Sequence, residues 1–177
     1  QWLAQLATYM NKTIGFGPKL DGNAINCIYE NGKLVSILSR GDGQEGQDYT
    51  AVFAHAVPNT IKDFTEEVRG EAVIDVYLFD TTYGPNSGIA KPYANARNFV
   101  AGALNSGDKT KCADIDFVAF HIVDFKGDTN AQLIKWGFNT LDFIRHYNAV
   151  DLVNLSTFEK MYAEFKYYRE NCKYQLD

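Results

Sequence analysis

Cysteine is scarce in this 177-residue chain, and the three present, Cys27, Cys112 and Cys172, lie far apart. An odd, scattered set makes neither a disulfide framework nor a zinc-ligand spacing, and a reducing cytoplasm suits it best. Long apolar runs are missing as well: nothing approaches the ~18 residues a membrane-spanning helix requires. No basic stretch leads into an apolar segment and a small-residue cleavage site, so no secretory signal is read. Because Gln1 is not a natural start, the chain is expected to be part of a longer protein. Positive charge is short: 17 Lys and Arg stand against 22 Asp and Glu, a net charge of −5. A protein built mainly to grip phosphates is usually basic. Composition alone therefore does not propose a nucleic acid partner, and local basic positions or further domains would have to supply such a grip. His55, His121 and His146 are scattered and are read as neither ligands nor bases. No internal repeat or low-complexity linker occurs. What remains is 46% apolar and 22% charged, ordinary for one globular domain.

Local patterns place the elements. Trp2, Leu3, Leu6, Ala7 and Met10 recur at helical spacing until Gly15, Gly17 and Pro18 break the run. From Asn23 to Glu30 the chain alternates, with Ile25, Cys27 and Tyr29 on one face. Asn31-Gly32 and a partner strand over Leu34–Leu38 complete a hairpin signal, since both turn residues tolerate positive φ. Further strands are predicted over Glu67–Val76 and Phe117–Phe125, and a short helix over Asn98–Leu104. Ser156 and Glu159 have capping-box spacing. Behind them Phe158, Met161, Tyr162, Phe165, Tyr168 and Cys172 form an amphipathic stripe expected to face a core. Short strands, hairpins and a few helices read as an α+β fold with mostly antiparallel sheet.

Lys19 lies immediately before the hairpin, in Gly15-Phe16-Gly17-Pro18-Lys19-Leu20-Asp21-Gly22. A lysine attacks phosphorus only as a neutral amine, and partial burial or a neighbouring cation helps it reach that state. In an extended segment the Asp21 carboxylate would point to the same side as Lys19. There it could orient the amine, accept its proton or help hold a metal, while Gly22 would leave room for a ligand. By itself the tetrapeptide is a weak signal, because Asp-Gly is also a common turn pair.

The rest of the chain adds an ordered series. Lys19-Leu20-Asp21-Gly22 resembles the lysine motif of the covalent nucleotidyltransferases, meaning DNA ligases, RNA ligases and capping enzymes. Arg40-Gly41-Asp42-Gly43, then Gly46-Gln47-Asp48-Tyr49-Thr50, is similar to the segment after the hairpin in NAD-dependent DNA ligases, with Gln47 replacing a Glu. Val68-Arg69-Gly70-Glu71 and Asn95-Ala96-Arg97-Asn98 through Gly102 and Leu104 match further family elements, with Ala96 replacing a Pro. Asp116-Phe117-Val118-Ala119-Phe120 resembles the strand that brings an aromatic ring to adenine. Trp136-Gly137-Phe138 and Arg169 through Tyr174-Gln175-Leu176-Asp177 continue the likeness, which covers nearly the whole chain in order.

That resemblance, to the adenylation domain of NAD-dependent DNA ligases, implies a nucleotidyltransferase fold of the DNA ligase and mRNA-capping type. It would span residues 1–177, with residues 1–12 as a linking helix. It implies that Lys19 attacks the α-phosphate of NAD, expels nicotinamide mononucleotide and forms lysyl-AMP. AMP then passes to the 5′-phosphate of nicked double-stranded DNA. Lys19 and Asp21 would be catalytic. Arg40, Glu71, Phe120, Arg97, Arg169 and Gly22 would bind the nucleotide: Arg40 at its sugar-phosphate, Glu71 at ribose or a metal, Phe120 stacked on adenine, and the other two arginines at phosphate or cofactor. Mg²⁺ is implied because it neutralises phosphate charge. Ordinary structural roles compete: a solvated strand-end Arg40, a surface Glu71, a core Phe120 and plain surface arginines.

Three departures stand out. Gly17 occupies the position of an adenine-contacting Glu, Asn105 that of a second arginine, and the Gly-Val-Val-x-Lys expected after Asp177 is not in this chain. A truncated ligase, or one subunit of a ligase divided between two chains, would carry the missing parts elsewhere, and a phage or otherwise divergent source would fit. The isolated chain is expected to turn over little NAD. Two competing readings are an ATP- or GTP-using nucleotidyltransferase, which should lack the Arg40 to Thr50 pattern, and a non-catalytic nucleotide- or partner-binding subunit, which would form no lysyl adduct.

Overall fold

The computed structural model describes residues 9, 11–40, 46–152 and 154–177. Residues 1–8 and 10, which carry most of the expected linking helix, lie outside the described residues, as does Gly41-Asp42-Gly43. The chain divides into two compact units. The larger, here the sheet unit, is residues 20–141 with 173–175; the smaller, the ribbon unit, is residues 1–19, 142–172 and 176–177.

In the sheet unit, β2 (Asn23–Glu30), β3 (Lys33–Ser39), β4 (Glu66–Val73) and β5 (Asp116–Ile122) form one antiparallel sheet in the order β3-β2-β4-β5. The hairpin is as expected. Asn31 and Gly32 have φ of 50° and 78°, the paired positive values of a type I′ turn, whose twist matches that of the flanking strands. Ile25, Cys27 and Tyr29 all face the core. They meet Val68 and Ala72 of β4 and Phe117, Ala119 and Ile122 of β5. The helices α1 (Thr50–Phe53), α2 (Val76–Thr82), α3 (Ala96–Ser106), α4 (Lys109–Cys112) and α5 (Thr129–Lys135) belong to the same unit. The longest, α3, buries Phe99, Val100, Ala103 and Leu104, the spacing of one helical face. Tyr83 stacks on Phe99 at 4.1 Å between ring centroids. Two glycines are fixed by close approach. A Cβ on Gly70 would sit 2.4 Å from the Val118 carbonyl oxygen and 2.5 Å from the Phe117 ring. One on Gly22 would sit 2.2 Å from the Ala72 carbonyl oxygen.

Several predicted boundaries move, each for a local reason. β4 stops at Val73 rather than Val76 because Asp75 caps α2, its Oδ1 accepting from the Tyr77 and Leu78 amides at 2.8 and 3.1 Å. β5 stops at Ile122 rather than Phe125, before Asp124 turns left-handed at φ 53°. The predicted helix over 98–104 is longer, since Asn95 caps it and Gly107, at φ 67°, closes it.

In the ribbon unit, β1 (Thr13–Phe16) pairs antiparallel with β6 (Arg145–Asn148). Helix α6 (Ala149–Leu152) and the 17-residue α7 (Leu155–Asn171) follow. The cap of α7 is Asn154, whose side chain accepts from the Ser156 amide at 3.0 Å, so the expected Ser156–Glu159 box is not used. The amphipathic stripe is only partly inward: Met161 is buried and Phe165 packs edge-on against Phe16, but Tyr162 is exposed. The structure is thus a mixed α/β fold with antiparallel sheets.

Candidate active site

Alternation along β2, β4 and β5 sends every second side chain away from the core, and on that second face of the sheet unit lies a cavity of about 720 Å³. It is lined by Ala24, Asn26, Arg40, Arg69, Gly70, Phe120 and His121. The volume and mixed lining are those of a small-molecule site. Of the residues expected at the nucleotide, Arg40 and Phe120 both reach it. Arg40 follows β3, anchored by its backbone amide donating to the Ala24 carbonyl at 3.2 Å. Phe120 is 49% exposed, so the core reading of this ring is excluded. A register shift between Arg69 and Gly70, opposite Phe120 and His121, is responsible. Such bulges re-aim side chains at functional edges. Glu71 is half-buried in β4, in register with Ala24 on one side and Val118 on the other.

Three polar residues of the cavity went unassigned in the sequence. Asn26 is a polar residue on the non-core face of β2, and alternation alone marks it. Arg69 sits inside the Val-Arg-Gly-Glu stretch. Its Nε donates to Glu67 Oε1 at 2.6 Å, and that bond and its charge hold the guanidinium more firmly protonated. His121 reaches the cavity through the bulge, which no local sequence signal announces. His55, by contrast, keeps a structural role, its Nε2 lying 3.1 Å from the Cys112 carbonyl.

Elsewhere in the sheet unit Asp21 and Arg97 come together, though 76 residues apart in sequence, with Nη1 3.3 Å from Oδ1. Arg97 projects from the first turn of α3. Gln175 Nε2 donates to the other Asp21 oxygen at 3.1 Å, and the Asp21 amide donates to the Gln175 carbonyl at 3.0 Å. The 173–175 segment is itself fastened by the Val76 amide to the Lys173 carbonyl at 2.8 Å, and by Tyr174 donating to Asp116 Oδ2 at 2.7 Å. Asp21 thus has two side-chain donors in its own unit. Gly22 lies against β4, so that the side its missing Cβ would occupy is filled by the β4 backbone.

Lys19 and Arg169 belong to the ribbon unit. Lys19 is exposed, and its ammonium pairs with the Asp177 carboxylate. The Asp177 amide also donates to the Lys19 carbonyl at 2.9 Å. An ammonium has no lone pair for attack, so this arrangement is one the amine must leave before it can act as a nucleophile. Its side chain is 73% exposed, with a carboxylate as its partner. Arg169 lies exposed in the last turn of α7, where a cation also suits the helix dipole.

Gly17 has ordinary space around it, the nearest atom to an added Cβ being the Phe143 carbonyl oxygen at 3.6 Å. Asn105 and Gln47, two departures from the family pattern, meet at one residue: the Tyr49 hydroxyl lies 2.7 Å from Asn105 Oδ1 and 2.9 Å from Gln47 Oε1. A phenol holds one proton, so it donates to one amide and accepts from the NH₂ of the other. Among the described residues, no three His, Cys, Asp or Glu side chains converge as a metal cage, and no helix is long and apolar enough to cross a membrane.

Comparison with known proteins agrees with the resemblance to DNA ligases. The chain is 30% identical over 201 residues to a DNA ligase of Acidithiobacillus ferrooxidans, covering 99% of this chain and 28% of that protein. It is 33% identical over 175 residues to a DNA ligase of Mycoplasma genitalium, covering 90% of the chain and 25% of that protein. It is 39% identical over 134 residues to DNA ligase 2 of Pseudarthrobacter chlorophenolicus, covering 70% of the chain and 18% of that protein. The chain therefore spans about a quarter of the length of such relatives. The family model described as NAD-dependent DNA ligase adenylation domain matches residues 1–177, and the chain belongs to that family.

Proposed function

We propose that this chain is the adenylating part of an NAD-dependent DNA ligase, with a nucleotidyltransferase fold, and that Lys19 is its nucleophile. The observation that carries the reading is the family match over the whole chain, together with a cavity in which a cation and an exposed ring stand on one sheet face. In the proposed reaction the neutral Lys19 amine forms a bond to the α-phosphorus of NAD as the P–O bond to nicotinamide mononucleotide breaks, its electron pair leaving on nicotinamide mononucleotide, and the nitrogen gives up one proton. AMP passes from Lys19 to the 5′-phosphate of nicked DNA, and the 3′-hydroxyl displaces it to seal the strand. Each step is displacement at phosphorus, so placed cations and donors are the main catalytic resource.

Phe120 offers a stacking surface for adenine, Arg40 meets sugar or phosphate, and Glu71 is assigned to ribose. Arg97 reaches phosphate in exchange for its contact with Asp21. Arg169 is assigned to the cofactor's phosphate side. Asp21 is assigned to orient the amine or take its proton. Gly22 is assigned to the nucleotide, its small size leaving room on the side away from β4. Mg²⁺ enters the proposal as a companion of the substrate phosphates; the described residues offer it no cage, and no step is routed through a protein-held metal. With a net charge of −5, the grip on DNA falls to local cations and to the rest of a longer protein or a second chain. A cytoplasmic location suits such an enzyme.

The test is incubation with adenylate-labelled NAD or ATP, using the chain alone and the chain supplied with the flanking segments its relatives carry. The expected result is acid-labile label from NAD, lost in Lys19→Ala, with little transfer by the isolated 177 residues. Label retained from ATP and not from NAD would overturn the cofactor assignment.

A further inference from the structure

Asn26 is the amide that the fold leaves unused in the cavity. It sits in β2, an inner strand with partners on both sides, half-buried and facing the cavity while Ile25 and Cys27 face the core. A half-buried carboxamide on a cavity wall is open to a partner from the cavity side. Among the described residues, the Asn26 side chain makes no hydrogen bond within the protein. Its neighbour across the β2–β4 ladder, Arg69, is drawn along its own strand to Glu67. Two strands away the bulge turns Phe120 outward, 49% exposed. Strand spacing puts the β2 and β5 backbones roughly 9–10 Å apart. Between them β4 contributes the side-chain-free backbone of Gly70 to the cavity wall.

An exposed ring on one side, a bare backbone floor and a planar donor-acceptor pair on the other suit a flat heterocycle that has both a face and a hydrogen-bonding edge. Resting on the reading of this cavity as the nucleotide site, we propose that Asn26 is a specificity-determining residue whose amide reads the edge of the adenine that stacks on Phe120. The chemistry is complementary. Adenine presents an amine donor beside a ring-nitrogen acceptor, and an asparagine amide answers with one acceptor and one donor in a single plane. Along the edge where adenine carries N6 and N7, guanine presents two acceptors, O6 and N7, so the amide oxygen would face another oxygen with no proton between them.

The experiment is equilibrium binding of AMP and of GMP to the 177-residue chain, by calorimetry, for wild type, Asn26→Ser, Asn26→Asp and Phe120→Ala. Melting by circular dichroism runs alongside to verify that each variant is folded. Wild type should prefer AMP. Asn26→Ser should weaken AMP about ten-fold, the scale of one lost bidentate base contact, and leave GMP nearly unchanged, so that the preference collapses. Asn26→Asp, which keeps the shape and the acceptor but loses the donor, should also weaken AMP and should not improve GMP, and it guards against a misfolded serine variant. Equal loss for both nucleotides would place Asn26 at sugar or phosphate and overturn the assignment. So would no loss from Asn26→Ser while Phe120→Ala abolishes binding, a result that leaves the nucleotide site standing. A folded wild type that binds neither nucleotide would overturn the site and the assignment together.

Discussion

Gly22 and Gly17 bracket the lysine motif, and the structure separates their roles sharply enough to test by one methyl group each. In Gly22→Ala the new Cβ would lie 2.2 Å from the Ala72 carbonyl oxygen, 2.8 Å from Val73 Cγ1 and 3.0 Å from Glu71 Cγ. The nearest obstacle is backbone in an inner strand, which cannot swing aside as a flexible side chain can. Overpacking of this kind typically costs about 1–3 kcal/mol, and a rigid obstacle argues for the upper end. For a chain of this size about 3 kcal/mol lowers the melting temperature by roughly 6–12 °C. In Gly17→Ala the nearest atoms are at 3.6 and 3.9 Å, ordinary contact distances, and Gly17 is not among the positive-φ glycines. That change should be neutral, or stabilising by about 0.4–1 kcal/mol through the unfolded chain. Thermal melting followed by circular dichroism reads both. If Gly22→Ala melted like wild type and only lost nucleotide affinity, the packing argument would be wrong.

Other consequences can be checked separately. Tyr49→Phe removes the hydroxyl that joins Gln47 and Asn105; about 1 kcal/mol should be lost in urea titrations, and a denaturation midpoint equal to wild type would refute the bridge. Burial, helped by the Asp114 hydrogen bond, pushes the Tyr83 phenol up to about 12 from 10.0. A raised folded value means the stabilisation is complete below pH 10 and is lost as pH climbs toward 12. Tyr83→Phe should therefore flatten part of the alkaline fall in stability, and an unchanged alkaline limb would count against it. Burial also pushes the Cys27 thiol up to about 12, and Cys112 is fully buried. Iodoacetamide at neutral pH should therefore modify half-buried Cys172 first. Early labelling of Cys27 would contradict the packing described for β2.

Much of the fold was legible where a single local pattern decides the outcome. Alternation marked β2 and its inward face residue by residue, and Asn-Gly marked its turn. Boundaries set by a competing hydrogen bond were not legible. Asp75 ends the β4 segment by capping a helix, and Asn154 takes the cap expected of Ser156, because each satisfies amides that the apolar pattern does not count. The site divides in the same way. Arg40 and Phe120 were assigned from motif order and reach the cavity, and Asp21 and Arg97 prove to be partners. That Gly22 packs against β4 was not legible, because a tetrapeptide does not reveal which strand passes beside it. Asn26 and His121 went unassigned for different reasons. Asn26 gains meaning only from its missing partner, and His121 reaches the cavity only through a bulge in strand pairing.

The central claim is that Lys19 carries the adenylate. It is tested most directly by mapping the adduct, by peptide mass spectrometry, after reaction of the flank-restored protein with NAD. A single adenylate on the peptide containing Lys19, absent from Lys19→Ala, is the predicted result. An adduct on another residue, or none from a folded wild type, would contradict it.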